Sequence, residues 1–108
     1  WRTFDRLSTL PQTPYYLTST GLASIDEQDG ALSPLPPSSS AAISDTTVHD
    51  PWRPVPALGG HAAIPAGAFD RTSLDCRTDV LTYTSEPLSD NLHLTGEGFV
   101  LVYCTGDT

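Results

Sequence analysis

The chain has 108 residues and a formal net charge of -8 at pH 7, with five basic residues that are all arginine. This acidity repels phosphate backbones and anionic lipid surfaces, which excludes nucleic-acid and membrane binding driven by charge. Hydrophobic residues make up 38% of the chain, alongside 10 prolines and 8 glycines, so we expect one domain with a small core and long loops.

The first part of the chain is predicted to form one short helix and two short strands. Apolar residues three positions apart in residues 1–10 indicate a helical face, which Pro11 ends. Residues 15–18 are a β-prone run, and residues 22–25 are predicted to pair with it as a second strand. Residues 31–45 are low in complexity and rich in serine and proline, so we expect a surface loop or linker there.

Residues 51–75 form one long predicted loop, which follows a brief predicted strand at residues 46–49. The loop contains four prolines and three glycines, two of them adjacent at Gly59 and Gly60. A stretch of this length without regular structure is typical of a functional loop or of disorder. Its apolar residues favour an ordered loop that packs on another surface; they are Trp52, Val55, Leu58, Ile64 and Phe69.

The last third carries the clearest strand pattern. Residues 79–84 alternate between two faces, residues 92–95 alternate again, and residues 99–104 form a continuous apolar run. The continuous run is typical of a strand that is covered on both faces. Short strands separated by glycine and proline turns, without a long amphipathic helix, predict an all-β sandwich with long Pro/Gly-rich loops.

No catalytic motif is complete in this sequence. The Gly-x-Ser-x-Gly elbow of serine hydrolases is missing, and the serines at 38–40 lie in the low-complexity loop, where no fixed base could activate them. Cys-x-x-Cys zinc spacing and Gly-rich phosphate loops are missing as well. We therefore predict no catalytic residue, no metal site and no cofactor within the chain itself.

The three histidines differ in their surroundings. His93 lies in an alternating strand, where a surface cross-strand position is the favoured interpretation. His49 is followed by Asp50 but has no second close ligand, so it is not expected to hold a metal. His61 directly follows the paired glycines, which permit close backbone approach to a ligand. Ligand contact and plain solvent exposure are equally supported for His61.

The two cysteines bear on the cellular context. Cys76 precedes one predicted strand and Cys104 ends another, and their pairing stays open. Two thiols without other clustered ligands are commonly free, which favours a reduced, cytoplasmic protein.

The chain begins at Trp1 and stops just after its most apolar run, so we expect residues 1–108 to be a piece of a longer protein.

From Asp50 onward, a series of short motifs follows one order. The motifs are Asp50-Pro51, Pro54-Val55-Pro56, Gly59-Gly60, Phe69-Asp70-Arg71, Arg77-x-Asp79-Val80-Leu81-x-Tyr83-Thr84-Ser85 and Leu92-x-Leu94-Thr95-Gly96, with Tyr15-Tyr16-Leu17-Thr18 upstream. In this order they resemble the C-terminal domain of the X-Pro dipeptidyl-peptidase and cocaine-esterase family of serine hydrolases. The resemblance covers nearly the whole chain apart from the low-complexity loop.

The resemblance implies a β-sandwich of the jelly-roll (galactose-binding-like) type. In the family this sandwich follows an α/β-hydrolase domain that carries the Ser-Asp-His triad, so the triad would lie outside this chain. Residues 1–108 would be the N-terminal part of the sandwich, and an incomplete sandwich exposes sheet edges that invite self-association. The partner implied first is the catalytic domain of the parent chain.

The resemblance also implies a site. In relatives of cocaine esterase, the loop after the paired glycines contributes apolar side chains to the acyl-binding pocket. The matching positions here are Ala63 and Ile64, with His61 and Ala62 beside them, and these side chains are smaller than the family's bulky pair. Asp70-Arg71 matches an Asp-x-Arg region of the family, where we expect an ion pair that fixes the loop.

These inferences predict an accessory, non-catalytic portion of a serine hydrolase that acts on esters or on peptides with proline second. It would buttress the catalytic domain and line one wall of the substrate cleft, and it would be inactive alone. Two alternatives stay open. One is a carbohydrate-binding module, and the other is a structural or self-associating β-sandwich. The aromatic residues that could stack on a sugar are Trp1, Tyr15, Tyr16, Trp52 and Phe69.

Overall fold

A computed structural model describes residues 11–38 and 43–107. These residues form two compact units, which we call the central unit (residues 14–87) and the terminal unit (residues 11–13 and 88–107). The helix predicted at residues 1–10, part of the low-complexity loop and Thr108 lie outside the described residues.

The central unit contains an antiparallel pair of strands. Strand β1 is Tyr16–Thr18 and strand β2 is Ala31–Ser33, with Leu17 opposite Leu32 in the middle of the register. The strand predicted within residues 15–18 is therefore confirmed. The described chain is mostly non-helical, which agrees with the predicted all-β class.

The partner of β1 differs from the one predicted. Residues 22–25 form a turn, in which the amides of Ile25 and Asp26 both donate to the carbonyl of Leu22 at 2.9 Å. A turn satisfies these backbone groups locally and leaves them unavailable for a ladder with β1. Strand β2 instead occupies the first three residues of the range predicted as a low-complexity loop, while residues 34–38 and 43–45 form no strand.

A third segment runs beside β2. Thr84 forms a parallel bridge with Ala31: the Thr84 amide donates to Gly30 O and the Leu32 amide donates to Thr84 O, both at 3.0 Å. The strand predicted at residues 79–84 is thus reduced to one bridge, because its first residues belong to a turn closed by Val80 N–H to Arg77 O at 3.1 Å.

Gly30 is the reason that this third segment can approach β2. A Cβ atom at Gly30 would lie 1.8 Å from the carbonyl oxygen of Thr82, far inside van der Waals contact. A residue with a side chain would therefore push the segment off the sheet.

The helix of the central unit is short and the core is small. Helix α1 is Thr72–Asp75, and its Leu74 is 5% exposed. Ala23, at 2% exposure, is the other buried hydrophobic residue among those described. With so little apolar burial, polar contacts between segments contribute a large share of the order in this unit.

The terminal unit corrects two further predictions. Residues 92–95 and 99–104, which were predicted as strands, are irregular in structure. The prediction for residues 99–104 expected a strand covered on both faces, but its apolar side chains are exposed, up to 95% at Tyr103. A strand requires a neighbour to pair its backbone groups, and the described residues of the terminal unit supply none.

Candidate functional site

The loop after the paired glycines is closed at its base. The amide of Gly60 donates to the carbonyl of Gly67 at 2.8 Å, and the amide of Gly67 donates back to Gly60 O at 2.9 Å. We call the enclosed residues 61–66 the bridged loop. Gly59 supports this closure, since its φ of 71° favours glycine and a Cβ there would lie 2.7 Å from Gly67 O.

The four predicted site residues lie together on the bridged loop. His61 and Ala62 are exposed, Ala63 is half-buried, and the Ile64 side chain is 100% exposed. The loop therefore presents an apolar tip on a base of two backbone hydrogen bonds. Exposure of an isoleucine side chain to water is unfavourable, and covering it with another apolar surface is favourable. This tip is therefore suited to contact with a partner surface or a bound apolar group.

The chain that enters the long loop is held by Arg77. Its guanidinium donates from Nη2 to the carbonyl of Arg53 at 2.9 Å. Nε and Nη2 of the same group also donate to Asp79, at 2.7 and 2.5 Å. Hydrogen bonding to Asp79 raises the pKa of Arg77, and hydrogen bonding from Arg77 lowers the pKa of Asp79. Both shifts favour the charged forms of the pair.

The chain that leaves the long loop is held by Asp70. Its Oδ1 accepts hydrogen bonds from Thr72, from the amide at 2.9 Å and from Oγ1 at 2.6 Å, directly before helix α1. These bonds from Thr72 lower the pKa of Asp70. The ion pair predicted between Asp70 and Arg71 is wrong, because the carboxylate is engaged by the next turn. Within the described residues, the ion pair that forms is between Arg77 and Asp79.

Asp45 joins three separate parts of the central unit. Its carboxylate accepts hydrogen bonds from Ser19 Oγ at 2.7 Å, from the Ala23 amide at 3.0 Å and from Tyr83 Oη at 2.6 Å. Partial burial opposes the charge, but the bonds from Tyr83, Ser19 and Ala23 outweigh it and hold the pKa of Asp45 below its usual 3.8. Burial, together with the bond to Asp45, raises the pKa of Tyr83 to about 12.

Asp29 fixes the turn between β1 and β2. It accepts hydrogen bonds from the amide of Thr20 at 2.9 Å, from Thr20 Oγ1 at 2.6 Å and from the amide of Leu22 at 2.9 Å. The side-chain bond from Thr20 is the main cause that lowers the pKa of Asp29. Asp29 was not among the site residues predicted from the sequence. An Asp that precedes a glycine between β-prone runs is a usable signal for such a backbone-binding carboxylate.

The other candidate residues are exposed to solvent. His49, His93 and Ser38 are exposed, and Cys76 and Cys104 are free and exposed. Among the described ranges, no group of three or more His, Cys, Asp or Glu side chains could hold a metal ion. In the same ranges, no helix has the length and apolarity to cross a membrane.

Comparison with known proteins decides the family. The model of the X-Pro dipeptidyl-peptidase C-terminal non-catalytic domain matches residues 1–108. The chain belongs to this family. Cocaine esterase from Rhodococcus sp. (strain MB1 Bresler) is 37% identical to it over 87 residues, which cover 78% of this chain and 15% of the esterase. A search of solved structures gave no match.

Membership in this family confirms the resemblance predicted from the ordered motifs. The matching family model describes a non-catalytic domain. The chain spans about 15% of the length of the esterase that it matches, so most of that relative has no counterpart here.

Proposed function

We propose that this chain is an accessory part of an α/β-hydrolase-type serine hydrolase, an X-Pro dipeptidyl-peptidase or an acyl esterase. It buttresses the catalytic domain, and its bridged loop lines one wall of the substrate cleft. The observation that supports this role best is the fully exposed Ile64 at the tip of a loop with a closed base, in a chain of a non-catalytic hydrolase-domain family.

The contribution of such a wall to the reaction is physical. Covering the scissile bond excludes water, and contact with the acyl group limits the orientations that it samples before attack. Ala62, Ala63 and Ile64 supply methyl and methylene groups for this contact and no titratable group. The nucleophile and its base come from the catalytic domain.

A jelly-roll sandwich is the architecture that we propose for the complete domain. Strands β1 and β2 and the bridge at Thr84 supply the start of one sheet. The apolar run at residues 99–104 then pairs with strands contributed by further parts of the parent chain. Its exposed side chains support this assignment, because an apolar run of this length is typical of a covered strand.

Substitution at the loop tip tests the cleft role. In the complete hydrolase, Ile64→Ala removes apolar contact area at the acyl group, and we expect kcat/KM for bulky acyl esters to fall about tenfold more than for acetyl esters. Val48→Ala is the matched control, since Val48 is an exposed aliphatic residue outside the bridged loop. Equal effects of the two variants on the bulky-to-small ratio would refute the cleft role.

A carbohydrate-binding role is the second candidate, and Trp52 favours it. The Trp52 side chain is 93% exposed, on a turn in which its amide donates to Asp50 Oδ1 at 2.9 Å. An exposed indole can stack on a sugar ring. Titration of oligosaccharides against tryptophan fluorescence, with Trp52→Ala as comparison, tests this role. A response that survives the substitution would reject Trp52 as the binding residue.

A further inference from the structure

One side chain joins the start of the long loop to the chain just after its end. Arg53 and Arg77 are 24 positions apart, and the Arg77 guanidinium bonds to the Arg53 carbonyl. The chain between them contains the bridged loop and helix α1. One side chain thus ties the beginning of this segment to its end.

The backbone of Arg77 is itself fixed on both sides. Its amide donates to Leu74 O at 3.1 Å, and its carbonyl accepts from the Val80 amide at 3.1 Å. Leu74 is one of the two buried hydrophobic residues of the described chain. The backbone of Arg77 is therefore fixed next to the core, and its side chain holds the Arg53 carbonyl at a fixed distance from it.

Asp79 fixes the direction of this guanidinium. Its two carboxylate oxygens accept from Nε and Nη2, a fork geometry that Lys cannot reproduce. The Arg77 and Asp79 side chains are 24% and 15% exposed, so the pair is partly shielded from water. A pair that is held at two points and shielded loses less to solvent screening than an open surface ion pair does.

We propose that Arg77, oriented by Asp79, is a positioning residue that closes the base of the 54–76 segment. It thereby fixes the position of the bridged loop within the central unit. The Gly60–Gly67 bridge closes the bridged loop on itself, whereas the bond from Arg77 to Arg53 O ties the start of the 54–76 segment to the chain that follows it. The effect on the reaction rests on the proposed cleft role; the effect on loop order does not.

Hydrogen exchange of peptides from residues 54–71, in the complete hydrolase, tests the positioning directly. In Arg77→Gln and Asp79→Asn, we expect exchange in this segment to rise about tenfold, the factor that loss of one charge-assisted hydrogen bond produces. Arg71→Gln is the matched control, because it removes the same charge from an exposed side chain beside helix α1. Unchanged exchange in residues 54–71 of both Arg77→Gln and Asp79→Asn would overturn the proposal.

Arg77→Lys keeps the test decisive if the other variants fail to fold. Lys retains the charge opposite Asp79 but cannot reach both the carboxylate and Arg53 O in the same geometry. We expect faster exchange in residues 54–71 and unchanged exchange in β1 and β2. Wild-type exchange in residues 54–71 of Arg77→Lys would contradict the proposed role.

A kinetic readout separates positioning from general stability. We expect Arg77→Ala to raise KM for bulky acyl esters about tenfold with a smaller change in kcat, and added ethylguanidinium to restore much of the loss. Faster exchange in residues 54–71 with unchanged KM would support the positioning role of Arg77 and refute the cleft role of the bridged loop. Unchanged exchange in residues 54–71 would refute the positioning role of Arg77, whatever the kinetics.

Discussion

Replacing Asp45 with Asn tests whether carboxylates hold the central unit together. The carboxylate accepts three hydrogen bonds, from Ser19, Ala23 and Tyr83. Asn keeps one acceptor oxygen, and its amide group faces donors where the second oxygen stood. Hydrogen bonds to charged groups are worth about 1.5–3 kcal/mol each, and partial exposure of Asp45 reduces that value by solvent screening.

We therefore expect Asp45→Asn to destabilise the central unit by about 2 kcal/mol. The effect is large for this unit, whose described residues include two buried hydrophobic side chains. A unit of this size has a total stability of about 4–11 kcal/mol. The amides of Ala23, Thr82 and Thr84 report the change, because the first bonds to Asp45 and the others bond to Ala23 and Gly30.

Native-state hydrogen exchange in the complete hydrolase measures this loss at each amide. A destabilisation of about 2 kcal/mol corresponds to about thirtyfold faster exchange at these three amides. Glu86→Gln is the matched control, since it removes one negative charge from an exposed position of the same unit. A change below about threefold in Asp45→Asn, or an equal change in the control, would refute the reasoning.

Three further predictions follow from the same contacts. Gly30→Ala places a Cβ atom 1.8 Å from Thr82 O, so we expect a loss of about 3 kcal/mol in urea unfolding, and a stability equal to wild type would contradict the close approach. The pKa values of Asp45 and Asp29 are lowered in the folded chain, so the stability that these carboxylates contribute is complete above their usual pKa of 3.8 and is lost as pH falls through the folded-state pKa values. We expect Asp45→Asn to flatten the acid limb of a curve of unfolding free energy against pH. An unchanged acid limb would contradict this contribution of Asp45. Tyr83 acts in the opposite sense: its stabilisation is complete below pH 10 and is lost as pH rises toward about 12, so the phenolate absorbance of Tyr83 should appear late in an alkaline titration and vanish in Tyr83→Phe.

The sequence predicted those features that a local pattern determines. The β-prone run at residues 15–18 contains β1, and the paired glycines at 59 and 60 marked the bridged loop. Both depend on the intrinsic preferences of the residues concerned, the first on side-chain shape and the second on positive φ.

The features that the sequence missed depend on contacts between distant residues. Strand β1 pairs with Ala31–Ser33, and residues 22–25 are unavailable to it because their amides bond within the turn or to the carboxylates of Asp29 and Asp45. The segment at Thr82 reaches β2 because Gly30 has no side chain. The bond from Arg77 to Arg53 O joins a side chain to a backbone group 24 positions away. No residue type marks a carbonyl as the acceptor of such a bond, so only the fold shows it.

The measurement that tests the cleft role most directly is a crystal structure of the complete hydrolase with a phosphonate transition-state analogue on its catalytic serine. The proposed role predicts Ile64 side-chain atoms within about 4.5 Å of the acyl group of the analogue, with Arg77 bonded to Asp79 and Arg53. A bridged loop that points into solvent, or that contacts only another surface while the acyl group is enclosed by other residues, would contradict it.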